Sequence, residues 1–198
     1  LFQGDFTVRL KPREREGEFA AWDDKLTLEF NGARPCLRAL EISPADVPTV
    51  FLLGDSTVCD QPREPWSSWG QMLPRFFKPE VAVANHAESG ESLKSSLSAR
   101  RFDKVFSLMR PGDWLFLQYG HNDMKDRATN ALADYREHLR KIVARTREKG
   151  GMPVLVTSME RKDGVERDTL AGYPDAVREI ARETGAALID LHAISRTV

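Results

Sequence analysis

The sequence predicts an α/β fold, a doubly wound parallel sheet of about five strands, preceded by a short β-rich appendage. Short, largely apolar runs alternate along the chain with longer segments whose apolar residues recur at helical spacing. This order is typical of a parallel sheet that helices cover on both faces. The length of 198 residues also suits one such domain with a small addition.

The strand and helix boundaries follow from this alternation and from helix-ending residues. Strands are predicted at residues 49–53, 81–85, 113–119, 154–157 and 187–190. Helices are predicted at 68–77, 92–109, 129–149 and 174–184. Pro111-Gly112 and Gly150-Gly151 follow two of these helices, as expected of helix ends.

Residues 5–46 differ from the rest because apolar and polar residues alternate in three runs, 6–10, 25–30 and 36–42. This segment is therefore predicted to be β-rich, and three strands are too few for independent stability. It either belongs to a β-sandwich or carbohydrate-binding module, or packs on the core. Residues 43–48 are the predicted linker, and the main domain is 47–198. The first four residues resemble a tag remnant and are set aside.

Composition excludes several functional classes. A net charge of −1 gives no reason to expect a nucleic-acid partner, and no apolar run is long enough to cross a membrane. The two cysteines, Cys36 and Cys59, are compatible with a disulfide or with separate thiols. No metal-ligand cluster is visible in the sequence, so neither a metal nor a cofactor is predicted.

The first strand ends abruptly at Gly54-Asp55-Ser56, which places Ser56 at the sheet edge where ligands bind in α/β folds. Ser56 is the candidate nucleophile, although Asp55-Ser56 also suits a helix cap. A nucleophilic serine needs donors for the developing oxyanion. Gly90, through its backbone N–H, and Asn122, through its side-chain amide, follow the second and third strands. Taken alone, such a glycine is more often a turn residue, and such an asparagine is more often a capping or turn residue.

The ordered set of Gly54-Asp55-Ser56, a lone Gly90 and Gly120-His121-Asn122-Asp123 resembles the SGNH (GDSL-like) hydrolases, most closely their rhamnogalacturonan acetylesterase branch. The resemblance covers about residue 47 to the end and implies a flavodoxin-like SGNH hydrolase fold. It implies that Ser56 is the nucleophile. It also implies three oxyanion donors, namely the N–H groups of Ser56 and Gly90 and the side chain of Asn122.

The family also has a catalytic histidine in a C-terminal Asp-x-x-His motif, and the sequence departs from the family there. None of its four histidines follows an aspartate at that spacing. Asp190-Leu191-His192 is one residue too short and directly follows a predicted strand, so we do not assign His192 as the base. We expect the domain to lack its C-terminal Asp/His segment and the base to lie outside these residues.

Other residues near these motifs have two interpretations each. His121 either contacts substrate or is structural, and Asp123 is expected to orient its loop or cap a helix rather than to perform chemistry. Trp66 and Trp69 either form a sugar-stacking wall or belong to the core. The charged run 161–168 is either a solvated loop or part of the pocket rim.

These observations predict a serine esterase that removes O-acetyl groups from a plant cell-wall polysaccharide, pectic rhamnogalacturonan or a similar glycan, through an acyl-enzyme. The expected partner is an acetylated polysaccharide or oligosaccharide, with no cofactor, nucleic acid or membrane. Two alternatives remain, a short-chain acyl esterase with the same site and a non-catalytic glycan-binding form. The family resemblance implies a secreted or periplasmic protein.

Overall fold

The computed structural model describes residues 39–61, 65–164 and 167–197. Five parallel strands form one sheet in the order β2-β1-β3-β4-β5, which confirms the predicted doubly wound α/β fold. The strands are β1 Thr49–Gly54, β2 Ala82–Asn85, β3 Trp114–Gln118, β4 Met152–Val156 and β5 Ala187–Ile189. Because β1 lies between β2 and β3, the loops after these three strands meet at one edge of the sheet.

Six α-helices lie in the described residues: α1 Trp69–Met72, α2 Leu93–Ser98, α3 Arg101–Leu108, α4 Ala131–Glu148, α5 Tyr173–Thr184 and α6 Leu191–Ser195. Short 3₁₀-helices occupy Leu73–Phe76, Asp123–Lys125 and Lys162–Gly164. None of the described helices has both the length and the apolar composition that crossing a membrane requires.

The sheet is covered on both faces, and the alternation of side chains along β1 shows how. Phe51 and Leu53 belong to the larger core, which also contains apolar residues of α3, α4 and α5. Val50 and Leu52 point to the other face and belong to a smaller cluster, against which Trp69 of α1 packs. β1 is therefore buried on both sides, as its apolar run predicted.

Two predicted helices differ from the observed ones. The prediction of one helix over 92–109 is wrong, because the chain forms α2 and α3 with a break at Arg100, whose φ of 60° is left-handed. The predicted helix 68–77 is α-helical only in α1 and continues as the 3₁₀-helix Leu73–Phe76. Pro74 lies at the start of that turn and has no N–H to donate to a preceding carbonyl.

Most of the predicted β-rich segment lies outside the described residues, including Cys36. Residues 39–46 are described, and they form irregular, mostly exposed backbone. The third predicted run, 36–42, therefore contains no strand over its described part. The predicted linker, residues 43–48, is irregular and leads directly into β1.

Candidate active site

The turn after β1 holds Ser56 in a tightly packed position. A Cβ at Gly54 would lie 2.7 Å from the Gln118 carbonyl oxygen, so the strand ends with a residue that has no side chain. Asp55 is fully buried, and its Oδ1 accepts hydrogen bonds from the backbone N–H and the hydroxyl of Thr57, both at 2.9 Å. Ser56 lies between these two residues and is partly exposed. The predicted nucleophile therefore lies on a fixed turn at the carboxyl edge of the sheet.

The loop after β2 is attached to both neighbouring loops. At one end, the Glu88 N–H donates to the Gly54 carbonyl at 3.1 Å, and at the other, Asn122 Nδ2 donates to the Glu91 carbonyl at 2.9 Å. Gly90 lies between these two attachments. The structure thus brings the loops that carry Ser56, Gly90 and Asn122 together, as their positions after three strands predicted.

Gly90 and Asn122 each present a donor. Gly90 is exposed, has a φ of +84° and has no atom within 4 Å of the position a Cβ would take, so its backbone is open to a ligand. Lys125 Nζ donates to Asn122 Oδ1 at 2.7 Å, which fixes the orientation of the amide. An amide nitrogen carries two hydrogens, and in the described residues only the Glu91 carbonyl accepts one of those of Asn122.

Asp123 links the third loop to a helix, as predicted for a residue that orients its loop. Its Oδ1 accepts from the Leu93 N–H at 2.8 Å, at the start of α2. Its Oδ2 is buried and has no hydrogen-bond partner among the described residues. Burial raises the pKa of Asp123 to about 6. Asp123, Asn122 and His138 line a small cavity of about 40 Å³.

His121 is buried and cannot be the substrate contact that was one of its two interpretations. Its ring is 2% exposed, with Nδ1 3.3 Å from Asp55 Oδ2 and Nε2 2.9 Å from the Met159 carbonyl oxygen. The structural interpretation is therefore correct. Sequence reasoning missed the buried partner Asp55, although its place between Gly54 and Ser56 put it at the same sheet edge.

His192 belongs to a separate buried network after β4 and β5. Its Nε2 lies 3.1 Å from Glu160 Oε1, and its Nδ1 lies 2.9 Å from Arg178 Nη2. Arg178 also donates two hydrogen bonds to the Asp190 carboxylate, both at 2.9 Å. Both ring nitrogens are thus occupied, which agrees with not assigning His192 as the base.

The side chains of Glu160, Asp168 and His192 offer metal-ligand atoms within 4.8 Å of one another, but their chemistry does not fit a metal. A guanidinium only donates, so Arg178 requires a lone pair on His192 Nδ1. The single ring proton then lies on Nε2, the atom that faces Glu160. A protonated nitrogen has no lone pair for a metal, and the second nitrogen of a metal-bound histidine normally donates rather than accepts.

The remaining histidines also leave Ser56 without a base. His86 is buried against the ring of Phe51, with ring centroids 5.8 Å apart, and burial lowers its pKa to about 4. His138 lies on α4 and lines the small cavity. Across the described part of the chain, which includes all four histidines, no ring hydrogen-bonds the Ser56 hydroxyl.

The two tryptophans have different roles. Trp69 Nε1 donates to Gln118 Oε1 at 2.8 Å, and the ring packs against the smaller core, so the core interpretation holds for it. Trp66 is 71% exposed and is not part of the core.

The Cys59 thiol is buried in the smaller core, and burial raises its pKa to about 12.

Comparison with known proteins identifies relatives of this chain. The chain is 38% identical over 155 residues to the rhamnogalacturonan acetylesterase RhgT of Bacillus subtilis strain 168, covering 75% of this chain and 67% of that protein. It is 34% identical over 152 residues to the probable rhamnogalacturonan acetylesterase YesY of the same organism, covering 72% and 69%.

A solved structure of YxiM from Bacillus subtilis has a TM-score of 0.70 and 27% identity, covering 80% of this chain and 47% of that one. The chain thus spans about half the length of YxiM. The GDSL-like lipase/acylhydrolase family matches residues 52–197, most of the chain. The chain belongs to this family, which confirms the predicted SGNH resemblance and the expectation of a carboxylic ester hydrolase.

Proposed function

We propose that this protein is a carbohydrate O-acetylesterase that uses Ser56 as nucleophile and acts on acetylated rhamnogalacturonan or a related cell-wall glycan. The observation that carries the proposal is the junction of three loops at one sheet edge. Glu88 bonds to Gly54 and Asn122 bonds to Glu91, so Ser56, Gly90 and Asn122 lie on loops that are fixed to one another. The substrate class is supported by the names of the curated relatives, RhgT and YesY.

In this proposal the Ser56 Oγ attacks the acetyl carbonyl carbon and loses its proton to a base. The oxyanion is held by the N–H groups of Ser56 and Gly90 and by the free amide hydrogen of Asn122. The bond to the sugar oxygen then breaks, and that oxygen takes the proton from the base. Water attacks the acetyl-enzyme, acetate leaves and Ser56 regains its proton.

The proposal assigns the base to none of the four histidines. His121 and His192 have both ring nitrogens occupied, and His86 is buried against Phe51. His138 makes no hydrogen bond to Ser56 in the described residues. A residue that accepts the Ser56 proton must reach the partly exposed hydroxyl from the open side of the three loops.

The first prediction is that Ser56→Ala lowers acetate release from acetylated pectin about 10³- to 10⁶-fold, because it removes the nucleophile. The matched control is Ser67→Ala, since Ser67 is an exposed serine in the loop that precedes α1 and is expected to leave the rate unchanged. Acetylxylan and p-nitrophenyl esters of increasing chain length, assayed in parallel, measure the substrate preference.

Different outcomes contradict different parts of the proposal. Faster hydrolysis of longer p-nitrophenyl esters than of acetylated glycans would contradict the carbohydrate assignment and favour a short-chain acyl esterase. Binding to the polysaccharide without any acetate release would contradict catalysis. Equal rates for Ser56→Ala and wild type would contradict the nucleophile assignment.

A further inference from the structure

A single buried ring, that of His121, connects the neighbours of both proposed functional side chains. His121 directly precedes Asn122, and its Nδ1 meets Asp55, which directly precedes Ser56. Its Nε2 meets the carbonyl of Met159, beyond the end of β4. The imidazole therefore connects the chain segments after β1, β3 and β4.

The hydrogen-bond partners of this ring determine its protonation. A carbonyl oxygen only accepts, so Nε2 must carry a hydrogen to bond Met159. Nδ1 faces an oxygen of Asp55, and an ionised carboxylate also only accepts. One further proton must therefore lie between Nδ1 and Oδ2. Asp55 Oδ1 accepts two hydrogen bonds from Thr57, and hydrogen bonds to a carboxylate favour its ionised form, so we place this proton on the ring.

Burial makes this arrangement rigid. The His121 and Asp55 side chains are 2% and 0% exposed, so water does not replace their contact. The other carboxylate oxygen of Asp55, Oδ1, accepts hydrogen bonds from the N–H and the hydroxyl of Thr57, the residue that follows Ser56 in the chain. A rotation of the Asp55 carboxylate would break the contacts on both sides of Ser56 together.

We propose that His121, held as an imidazolium between Asp55 and the Met159 carbonyl, is a positioning residue that keeps Ser56 and Asn122 in place relative to each other. The role of these two side chains rests on the proposed function. His121 itself touches neither substrate nor the reacting atoms, because it is buried and both its nitrogens are occupied.

Three variants test this role. His121→Phe keeps a ring in the same space and removes both hydrogen bonds. Asp55→Asn keeps the contacts to Thr57 and to His121 but leaves the His121 ring neutral. The oxygen of the introduced amide can accept from Thr57, and its nitrogen can donate to His121 Nδ1. His86→Phe is the matched control, because His86 is also a buried histidine at the carboxyl edge, and no side-chain hydrogen bond of its ring is found among the described residues.

The first readout is the long-range ¹H–¹⁵N NMR spectrum of the imidazoles, which needs no substrate. In wild type, both ring nitrogens of His121 are expected to carry a proton, and in Asp55→Asn only Nε2. The signals are assigned by their loss in His121→Phe. A wild-type spectrum with one proton on His121 would overturn the imidazolium.

The second readout is the position of the site. In His121→Phe, the Ser56 backbone amide signal and the Asn122 side-chain amide signals should shift strongly, and in His86→Phe they should stay near wild type. The kcat for acetyl ester hydrolysis should fall about 10- to 100-fold in His121→Phe with KM nearly unchanged, because misplacement of reacting groups lowers the rate of the chemical step. The single variant Asp55→Asn should keep most of the wild-type kcat.

These outcomes separate the two proposals. An active wild type whose kcat and amide signals are unchanged in His121→Phe would overturn the positioning role. A wild type without esterase activity, in which the amide signals of Ser56 and Asn122 still move only in His121→Phe, would contradict the proposed function and support the positioning of the two loops.

Discussion

The carboxyl edge of the sheet has two halves, and each contains a buried histidine with different partners. Beside β1 and β3, His121 meets two acceptors, Asp55 and the Met159 carbonyl. Beside β4 and β5, His192 meets one acceptor, Glu160, and one donor, Arg178. In our proposal the first ring donates from both nitrogens, whereas the guanidinium of Arg178 requires an unprotonated Nδ1 on the second ring.

The two halves also differ in how completely their polar atoms are paired. In the first half, Asp123 Oδ2 is buried without a partner among the described residues, while Gly90 is open to a ligand. In the second half, Glu160, Arg178 and Asp190 all have hydrogen-bond partners. An unpaired buried polar group reduces stability, whereas a fully paired network does not carry that cost. The two halves are therefore expected to respond differently when their polar groups are substituted.

The largest stability effect is expected from the first half. Asp55→Ala should lower the free energy of unfolding by about 3–5 kcal/mol, because it leaves a buried imidazolium without its counter-charge. Asp55→Asn should cost less than about 1 kcal/mol, since an amide can still bond Thr57 and a neutral His121. Urea denaturation measures both variants. Equal losses would contradict the paired arrangement.

Asp123 gives the first half a distinct dependence on pH. Its folded-state pKa of about 6 exceeds its ordinary 3.8, so between these values the folded protein keeps a proton that the unfolded chain releases. The free energy of unfolding should therefore fall by about 2–3 kcal/mol as pH rises from about 4 to 6. Asp123→Asn should remove this slope, and Asp134→Asn, at an exposed aspartate on α4, should retain it. A slope unchanged in Asp123→Asn would assign the effect to other groups.

In the second half, the contribution of Asp190 to the free energy of unfolding should change over a lower pH range. The hydrogen bonds from Arg178 hold the pKa of Asp190 at about 2, below its ordinary 3.8. Their stabilisation is present above about pH 4 and is lost as pH falls through 2. Arg178→Met should cost about 1–2 kcal/mol at neutral pH, reduced by partial solvent exposure, and most of the difference from wild type should be lost by about pH 2.

The control for that variant is Arg182→Met, at an exposed arginine on the same helix, which should cost almost nothing. Thermal or urea unfolding across the acid range makes the comparison. A loss in Arg178→Met that stays constant down to pH 2 would show that Asp190 is not its main partner.

The smallest effect is expected from Glu160→Gln. The amide oxygen can accept from His192 Nε2, and the amide nitrogen can donate to the Thr169 hydroxyl, so stability should change by less than about 1 kcal/mol. The His192 ring should carry one proton, on Nε2, in both wild type and variant. Imidazole NMR tests this, and a doubly protonated His192 would remove the distinction between the two histidines.

The fold was predictable from local patterns because the apolar runs are buried on both faces, as parallel strands require. Helix boundaries were less predictable. Apolar residues at helical spacing continue through Ala99 and Arg100, but the chain turns there into the left-handed conformation so that α2 and α3 can both reach the core. The position of this break depends on how the two helices pack against the sheet, and the spacing of apolar residues in the sequence does not show it.

The sequence by itself determined the five apolar runs that form the strands, and it placed Ser56, Gly90 and Asn122 in the segments that follow the first three runs. Only the tertiary structure decided which polar groups pair. The contacts from His121 to Asp55 and from His192 to Glu160 join residues 66 and 32 positions apart. The hydrogen-bond partners of each ring depend on distances between atoms that are remote in the chain, so no local pattern in the sequence could show them.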